Sequence, residues 1–320
     1  MSSEQFTFPS PIGGTPFAID FAPSILFAVL YGLVIPIGIY RLTMPKSRTV
    51  LSSGTIGFTV EHVVIMALRA SQARNEHQRI SHSLTTYMQT SWGIGHLSMA
   101  SDLVNLLRCL LVAATQPTPS SSSVLDGSPE EAYLMTERSS EEVATDEDNR
   151  QVERFWYRTI CGYTSLFALV PIIIGSIAAS QYVGAESDAS KAKSVHTLRY
   201  VSTAMTLVFL LIIQGIATYG ILYTRNLIKS SAFIIIALAA VLNVISVYRL
   251  SVLGFQTTSI TSLEPGSLNS ASSKATFYVF HLAPEWIVAV TLLGINVRER
   301  FKTGMWGDKL YEPLKKKEKK

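Results

Sequence analysis

Residues 231–255 read SAFIIIALAAVLNVISVYRLSVLGF, and Arg249 is the one charged residue among them. A helix needs about 20 mainly apolar residues to cross a hydrocarbon core about 30 Å thick. This run is continuous in its apolar character, whereas a barrel strand alternates over about ten residues, so the stretch reads as a membrane-spanning helix. Working outward, six more stretches qualify: about 21–40, 50–68, 87–115, 155–182, 198–223 and 276–297. The third is the most polar. The expectation is an all-α, polytopic integral membrane protein built as a seven-helix transmembrane bundle over residues 21–298.

Composition agrees. Of 320 residues, 48% are hydrophobic and only 16% charged, with mean hydropathy +0.29; a soluble domain carries about 25% charged residues. The net charge is +4 and the pI about 9.0, yet much of the basic excess lies between Arg298 and Lys320, beside a span. That placement fits an anchor at an anionic leaflet and argues against a nucleic-acid surface. Cys109 and Cys161 are the only cysteines, too few for a disulfide-stapled fold, and both read as packed thiols.

Residues 1–20 contain no Lys or Arg, so the first span is expected to act as the insertion signal rather than as part of a cleaved leader. The side of the membrane holding 41–49, 116–158, 224–230 and the tail from Arg298 carries 18 of the 27 Lys and Arg, against seven on the other side. The positive-inside rule then predicts an extracytoplasmic N-terminal segment, 1–20, and a basic cytoplasmic tail, 299–320. Which membrane is occupied stays open. Loop 116–154 is rich in Ser, Pro, Glu and Asp and is expected to be a disordered, acidic cytoplasmic segment. Ser128, Ser139 and Ser140 are its candidate phosphorylation sites, and it is the expected contact for a cytoplasmic signalling partner. The tail lysines, Lys315 to Lys317, Lys319 and Lys320, suit membrane lipids; Glu318 breaks the match to a lysine retrieval signal.

An ionisable group within a span costs about 2.5 to 3.5 kcal/mol on insertion scales, so each should face the bundle and find a partner. The candidates are Glu61, His62, His96, Asp102, Arg249, His281 and Glu285, with Asn105 as a polar companion and Arg108 nearer a helix end. Gly95, Ser98, Asp102 and Asn105 follow a 3, 4, 3 spacing and share a helix face, expected to line the interior. His281 and Glu285 are four apart, with Pro284 between them to bend the helix. Depth counting suggests an Arg249–Glu285 ion pair inside a polar pocket in the outer half, between the second, third, sixth and seventh helices.

His62, Asp102, His281 and Glu285 are also the right chemical types for zinc. Their placement resembles the membrane hydrolase superfamily of alkaline ceramidases and progestin/adipoQ receptors, which implies a zinc-dependent hydrolase as one alternative. That family has a second His where Glu285 stands. Ser246-Val247-Tyr248-Arg249 and Phe277-Tyr278-Val279-Phe280 resemble the fungal lipid-translocating exporter family and related receptor-like seven-helix proteins. The sequence departs from it at Val252 and Leu253, where an acidic residue is expected, and at His281, where the family has Asp. This second resemblance implies a receptor-like or lipid-translocating protein that binds a lipophilic small molecule. No phosphate-cradling glycine loop, G-x-S-x-G elbow or H-E-x-x-H occurs, which favours a non-enzymatic role. A non-catalytic scaffold or export chaperone is the remaining alternative.

Overall fold

The computed structural model describes residues 6–116 and 150–308. Seven helices long and apolar enough to cross a membrane account for most of it: α1 (Phe21–Thr43), α2 (Ser53–Arg74), α3 (His82–Ala114), α4 (Arg150–Ser180), α5 (Ala189–Tyr223), α6 (Lys229–Val252) and α7 (Ala271–Gly294). The chain is an integral multi-pass membrane protein. Ser128, Ser139, Ser140, the acidic run and the terminal lysines lie outside the described residues. Residues 150–154, expected in the loop, are instead the first turn and a half of α4.

α1 packs on α2, α4 on α5, α5 on α6, and α7 closes the ring against α6 and α1. α3 runs through the middle and touches α2, α4, α5 and α6, which makes it the most buried of the seven. That explains its polar sequence. A central helix surrounded by protein does not need the Leu and Ile coat that lipid contact demands. Around it the outer helices present Ile25, Leu26, Val29 and Leu33 of α1 and Val208, Leu211 and Leu222 of α5 outward. Gly175 of α4 allows close packing: a Cβ there would stand 2.9 Å from Ile94 and 3.0 Å from Ser202.

Residues 6–17 fold across the end of the bundle where α1 and α7 begin, a feature no periodicity announces. Phe8–Pro9 (β1) pairs antiparallel with Gln256–Thr257 (β2) from the α6–α7 connection. The Ile12 N–H donates to Gln89 Oε1 (3.0 Å), and Gln89 Nε2 donates back to the Ile12 carbonyl (3.2 Å). Gly13 and Gly14 have φ of +76° and +63°, and Gly13 rests on the Phe277 ring, where a Cβ would come within 2.8 Å. Only glycine meets both demands there.

Beneath this cap lies a buried ion cluster. Asp20 Oδ1 accepts from Arg69 Nη2 (2.8 Å) and Asp20 Oδ2 from Lys274 Nζ, while Tyr278 Oη donates to Asp20 Oδ1 (3.0 Å). Arg69 also donates to the Gly13 carbonyl (2.5 Å) and from Nε to Tyr278 Oη (3.1 Å). Asp20, Arg69 and Lys274 are all at least 98% buried. The cluster joins the cap, α1, α2 and α7 through one carboxylate.

Candidate functional site

The structure divides the eight candidate residues into three groups. Five converge in the bundle core: His62 from α2, His96 from α3, Arg249 from α6, and His281 and Glu285 from α7, each no more than 2% exposed. Two, Glu61 and Asn105, are half-buried at the bundle surface. Asp102 is elsewhere, at the opposite end of α2.

The core is held by local features of α7. Pro284 has no N–H to give the carbonyl four residues back, and the turn just before it, Tyr278–Leu282, is wound as a π helix. His281 and Glu285 both point inward from this irregular turn. Glu285 Oε2 meets His62 Nε2 at 3.2 Å, and Glu285 Oε1 lies 3.7 Å from His281 Nε2. His62 Nδ1 is 3.0 Å from the Phe58 carbonyl. A carbonyl only accepts, so Nδ1 carries a proton and Nε2 faces the carboxyl group. One further proton, on either Nε2 or Glu285, completes that bond. The His62–Glu285 pair therefore sums to zero charge whichever atom holds it.

The expected Arg249–Glu285 pair is not formed. Arg249 Nη1 donates instead to the Gly93 carbonyl of α3 (2.6 Å). Depth counting placed both residues in the same half of the bundle but said nothing of azimuth, and α3 intervenes with a closer acceptor. The rest of the core wall is aromatic. His62 stacks on Phe58 (3.7 Å between centroids), His281 on Phe277 (5.2 Å), and Trp92 stands edge-on to both histidines. Several polar atoms here have no hydrogen-bond partner among the described residues: both ring nitrogens of His96 and of His281, Glu285 Oε1, Arg249 Nε and Trp92 Nε1. The core is enclosed rather than an open cup.

Asp102 caps α2. Its Oδ2 accepts from the Thr55 N–H and from Thr55 Oγ1, both at 2.7 Å, and a Cβ on Gly54 would clash with Oδ1 at 2.8 Å. The first turn of α2 has unpaired amides, and a carboxylate reaching over from α3 satisfies them as a residue at the N-cap would. This removes Asp102 from the expected pocket and from the four-residue metal set. Among the described residues, no three His, Cys, Asp or Glu side chains are grouped to hold a metal ion. Asp102→Ala is expected to cost about 1–2 kcal/mol, the usual effect of losing a cap, with Asp102→Asn retaining most of the stability. Thermal unfolding of the two purified variants in detergent checks this; equal loss in both would point to a need for charge rather than for an acceptor.

The surface group lies on α3. Asp102 and Gly95 face α2, whose Phe58 would lie 3.2 Å from a Cβ on Gly95; Ile94 faces Gly175 of α4. Along one side of α3, at helical spacing and with Ile94 among them, come Tyr87, Thr90, Ser98, Ser101, Asn105 and Arg108, the polar ones all half-buried or exposed. The stripe expected to line the interior is therefore split: Asp102 is buried against α2, while Ser98 and Asn105 are half-buried on the side of α3. Glu61 lies on α2, three residues after Phe58 and seven after Gly54, and so shares the side of α2 that meets α3. It is the twelfth of the 25 residues in the second span, near mid-membrane, half-buried and without an ion-pair or hydrogen-bond partner among the described residues.

Comparison with protein-family models, curated proteins and solved structures finds no match to this chain.

Proposed function

We propose that this chain handles membrane lipids in the manner of a lipid-translocating protein, the polar headgroup passing along the half-buried polar stripe of α3 while the acyl chains stay in the bilayer. The observation that carries this reading is Glu61 at mid-span beside the polar stripe of α3. An unpaired carboxylate at that depth is costly, and the cost falls when a polar or cationic group lies against it. The outward faces of α1 and α5 are apolar, so a headgroup meets less resistance along the stripe than against them. The resemblance at 246–249 and 277–280 points the same way.

The test is transbilayer movement of a headgroup-labelled phosphatidylcholine in vesicles containing the purified protein, read by quenching of label in the outer leaflet. Protein-dependent movement is expected, falling about tenfold or more when Glu61, Ser98 and Asn105 are all replaced by Leu. A rate equal to that of protein-free vesicles, or one unmoved by the triple replacement, overturns the reading.

A receptor-like role is the second reading. It is favoured by the unpaired polar atoms around His281 and Arg249, which suit recognition of a lipophilic molecule bearing a polar group.

A further inference from the structure

The interior of the half of the bundle beneath the cap is rich in buried cations. Arg69, Arg199, Arg249 and Lys274 are each at least 95% buried, and Asp20 and Glu285 are the acids buried with them. Asp20 is shared between Arg69 and Lys274. Glu285 forms a pair with His62 that sums to zero charge. Arg199 has no acidic partner among the described residues: it donates to Gln89 Oε1 (2.9 Å) and the Ser10 carbonyl (3.2 Å) and lies over the Tyr182 ring. Among the described residues, the hydrogen-bond partner of Arg249 is the Gly93 carbonyl, and no acid forms an ion pair with it. This interior thus holds more positive than negative charge by three, in the part of the protein where charge is least tolerated.

The orphan atoms have a matching polarity. Arg249 Nε and Trp92 Nε1 can only donate, and a neutral His96 or His281 each has one N–H to give. The two groups that can only donate, next to the Arg249 guanidinium, suit an acceptor-rich anion. Glu285 Oε1 and the second ring nitrogen of each neutral histidine are the unpaired acceptors among the described residues of the core, and His281 Nε2 lies 3.7 Å from Glu285 Oε1.

A cavity of about 440 Å³ opens on the lipid-facing side of α6 and α7 beside this core. Ala240, Val244, Val247, Tyr248 and Phe280 line it, and Asn243 is its one amide. Tyr248 is the wall between the two: it lines the cavity, and its ring lies 6.1 Å from that of His281. A mainly apolar, open surface cavity, with Asn243 and Ser251 as its polar residues, therefore abuts a set of donors for a head.

From these observations we infer that the core is an anion-binding site for a single-chain amphiphile of the fatty-acid class. The carboxylate accepts from Arg249 and Trp92, and the chain lies in the α6–α7 cavity behind Tyr248. The cavity is lined by α6 and α7 residues and not by the polar stripe of α3, so this inference does not rest on the lipid-translocating reading.

The experiment is titration of the purified full chain in a neutral detergent with oleate, oleyl alcohol and sodium chloride, read by thermal unfolding and tryptophan fluorescence. Oleate is expected to raise the unfolding midpoint in a saturable way, and oleyl alcohol, with the same chain and a neutral head, to do so at least tenfold more weakly. Arg249→Gln should weaken oleate by about tenfold or more, as loss of a hydrogen bond to a charged group does. Should Arg249→Gln fold poorly, Trp92→Phe keeps the ring, removes only the N–H, and should weaken oleate severalfold. Competition by chloride assigns the site to small anions at large; its absence assigns it to the amphiphile. Equal effects of oleate and oleyl alcohol, or oleate binding unchanged in both variants, overturn the inference. Glu61→Leu leaves oleate binding intact, which separates failure here from failure of the lipid-translocating reading.

Discussion

Asp20→Asn is expected to lower stability by about 3–5 kcal/mol, the usual consequence of leaving buried charge without its partner. The carboxylate is the only anion in contact with Arg69 and Lys274 among the described residues, and all three groups are removed from solvent. The amide can still accept a hydrogen bond at one oxygen but offers no charge, so two cations are left facing each other. The loss should appear as a fall in folded yield and in the unfolding midpoint of detergent-solubilised protein. Lys274→Met in the Asp20→Asn background should recover part of the loss, because one of the two stranded cations is then gone. Ser24→Ala, which removes only a hydroxyl 3.0 Å from Tyr278 Oη, should cost far less. If Asp20→Asn unfolds like the parent protein, the cluster does not hold the cap, α1, α2 and α7 together. Removal of the cap by truncation would then be equally mild.

None of the three residues stands out in the sequence. Asp20 sits just before an apolar run and reads as a boundary residue. Arg69 and Lys274 read as charges near helix ends, facing headgroups. What joins them is the fold of residues 6–17, where a two-residue strand and two glycines at positive φ leave no periodic trace. The seven helices, by contrast, were legible because crossing a bilayer demands a long apolar run whatever the tertiary structure. Their ends were less so, and the start of α4 lies at Arg150, inside a charged stretch that hydropathy assigns to the loop.

The site was legible in part for the same reason. Rarity of charge in a span singles out His62, His96, Arg249, His281 and Glu285, and all five do meet in the core. Which of them pair depends on helix azimuth, and a π turn in α7 changes that azimuth in a way that spacing alone does not reveal. The polar stripe of α3 shows the limit most plainly. Its residues share one side of the helix, as their spacing predicts, but that side is divided by contact with α2: Asp102 is covered and Asn105 is not. A sequence says which residues share a face and not which neighbour covers it.

Substitutions at Glu285 distinguish the observed pairing from the one depth counting suggests. His62 donates from Nδ1 to the Phe58 carbonyl, so its Nε2 can serve as an acceptor toward residue 285. A Gln side chain there presents an N–H and reproduces the neutral, one-proton bond. Glu285→Gln is therefore expected to unfold within about 1 kcal/mol of the parent protein. Glu285→Leu leaves Nε2 buried and unpaired, at a cost of about 1–3 kcal/mol. Glu285→Arg should be the most damaging, since it brings a new cation into an interior that already holds Arg249, Arg69, Lys274 and Arg199, and a loss of about 3–5 kcal/mol or more is expected. Adding Arg249→Glu to Glu285→Arg should not restore folding. The carboxylate introduced at position 249 would leave the Gly93 carbonyl without its donor, and the guanidinium introduced at position 285 would still stand against the His62 ring in a space shaped for a shorter side chain. Folded yield and unfolding midpoint of the series, measured in one detergent, give the order Gln, then Leu, then Arg with or without the second change. Recovery in the double variant would show that Arg249 and Glu285 are coupled as an ion pair. A Gln variant as unstable as Leu would show that the carboxylate is ionised and that its charge, rather than its hydrogen bond, balances the core.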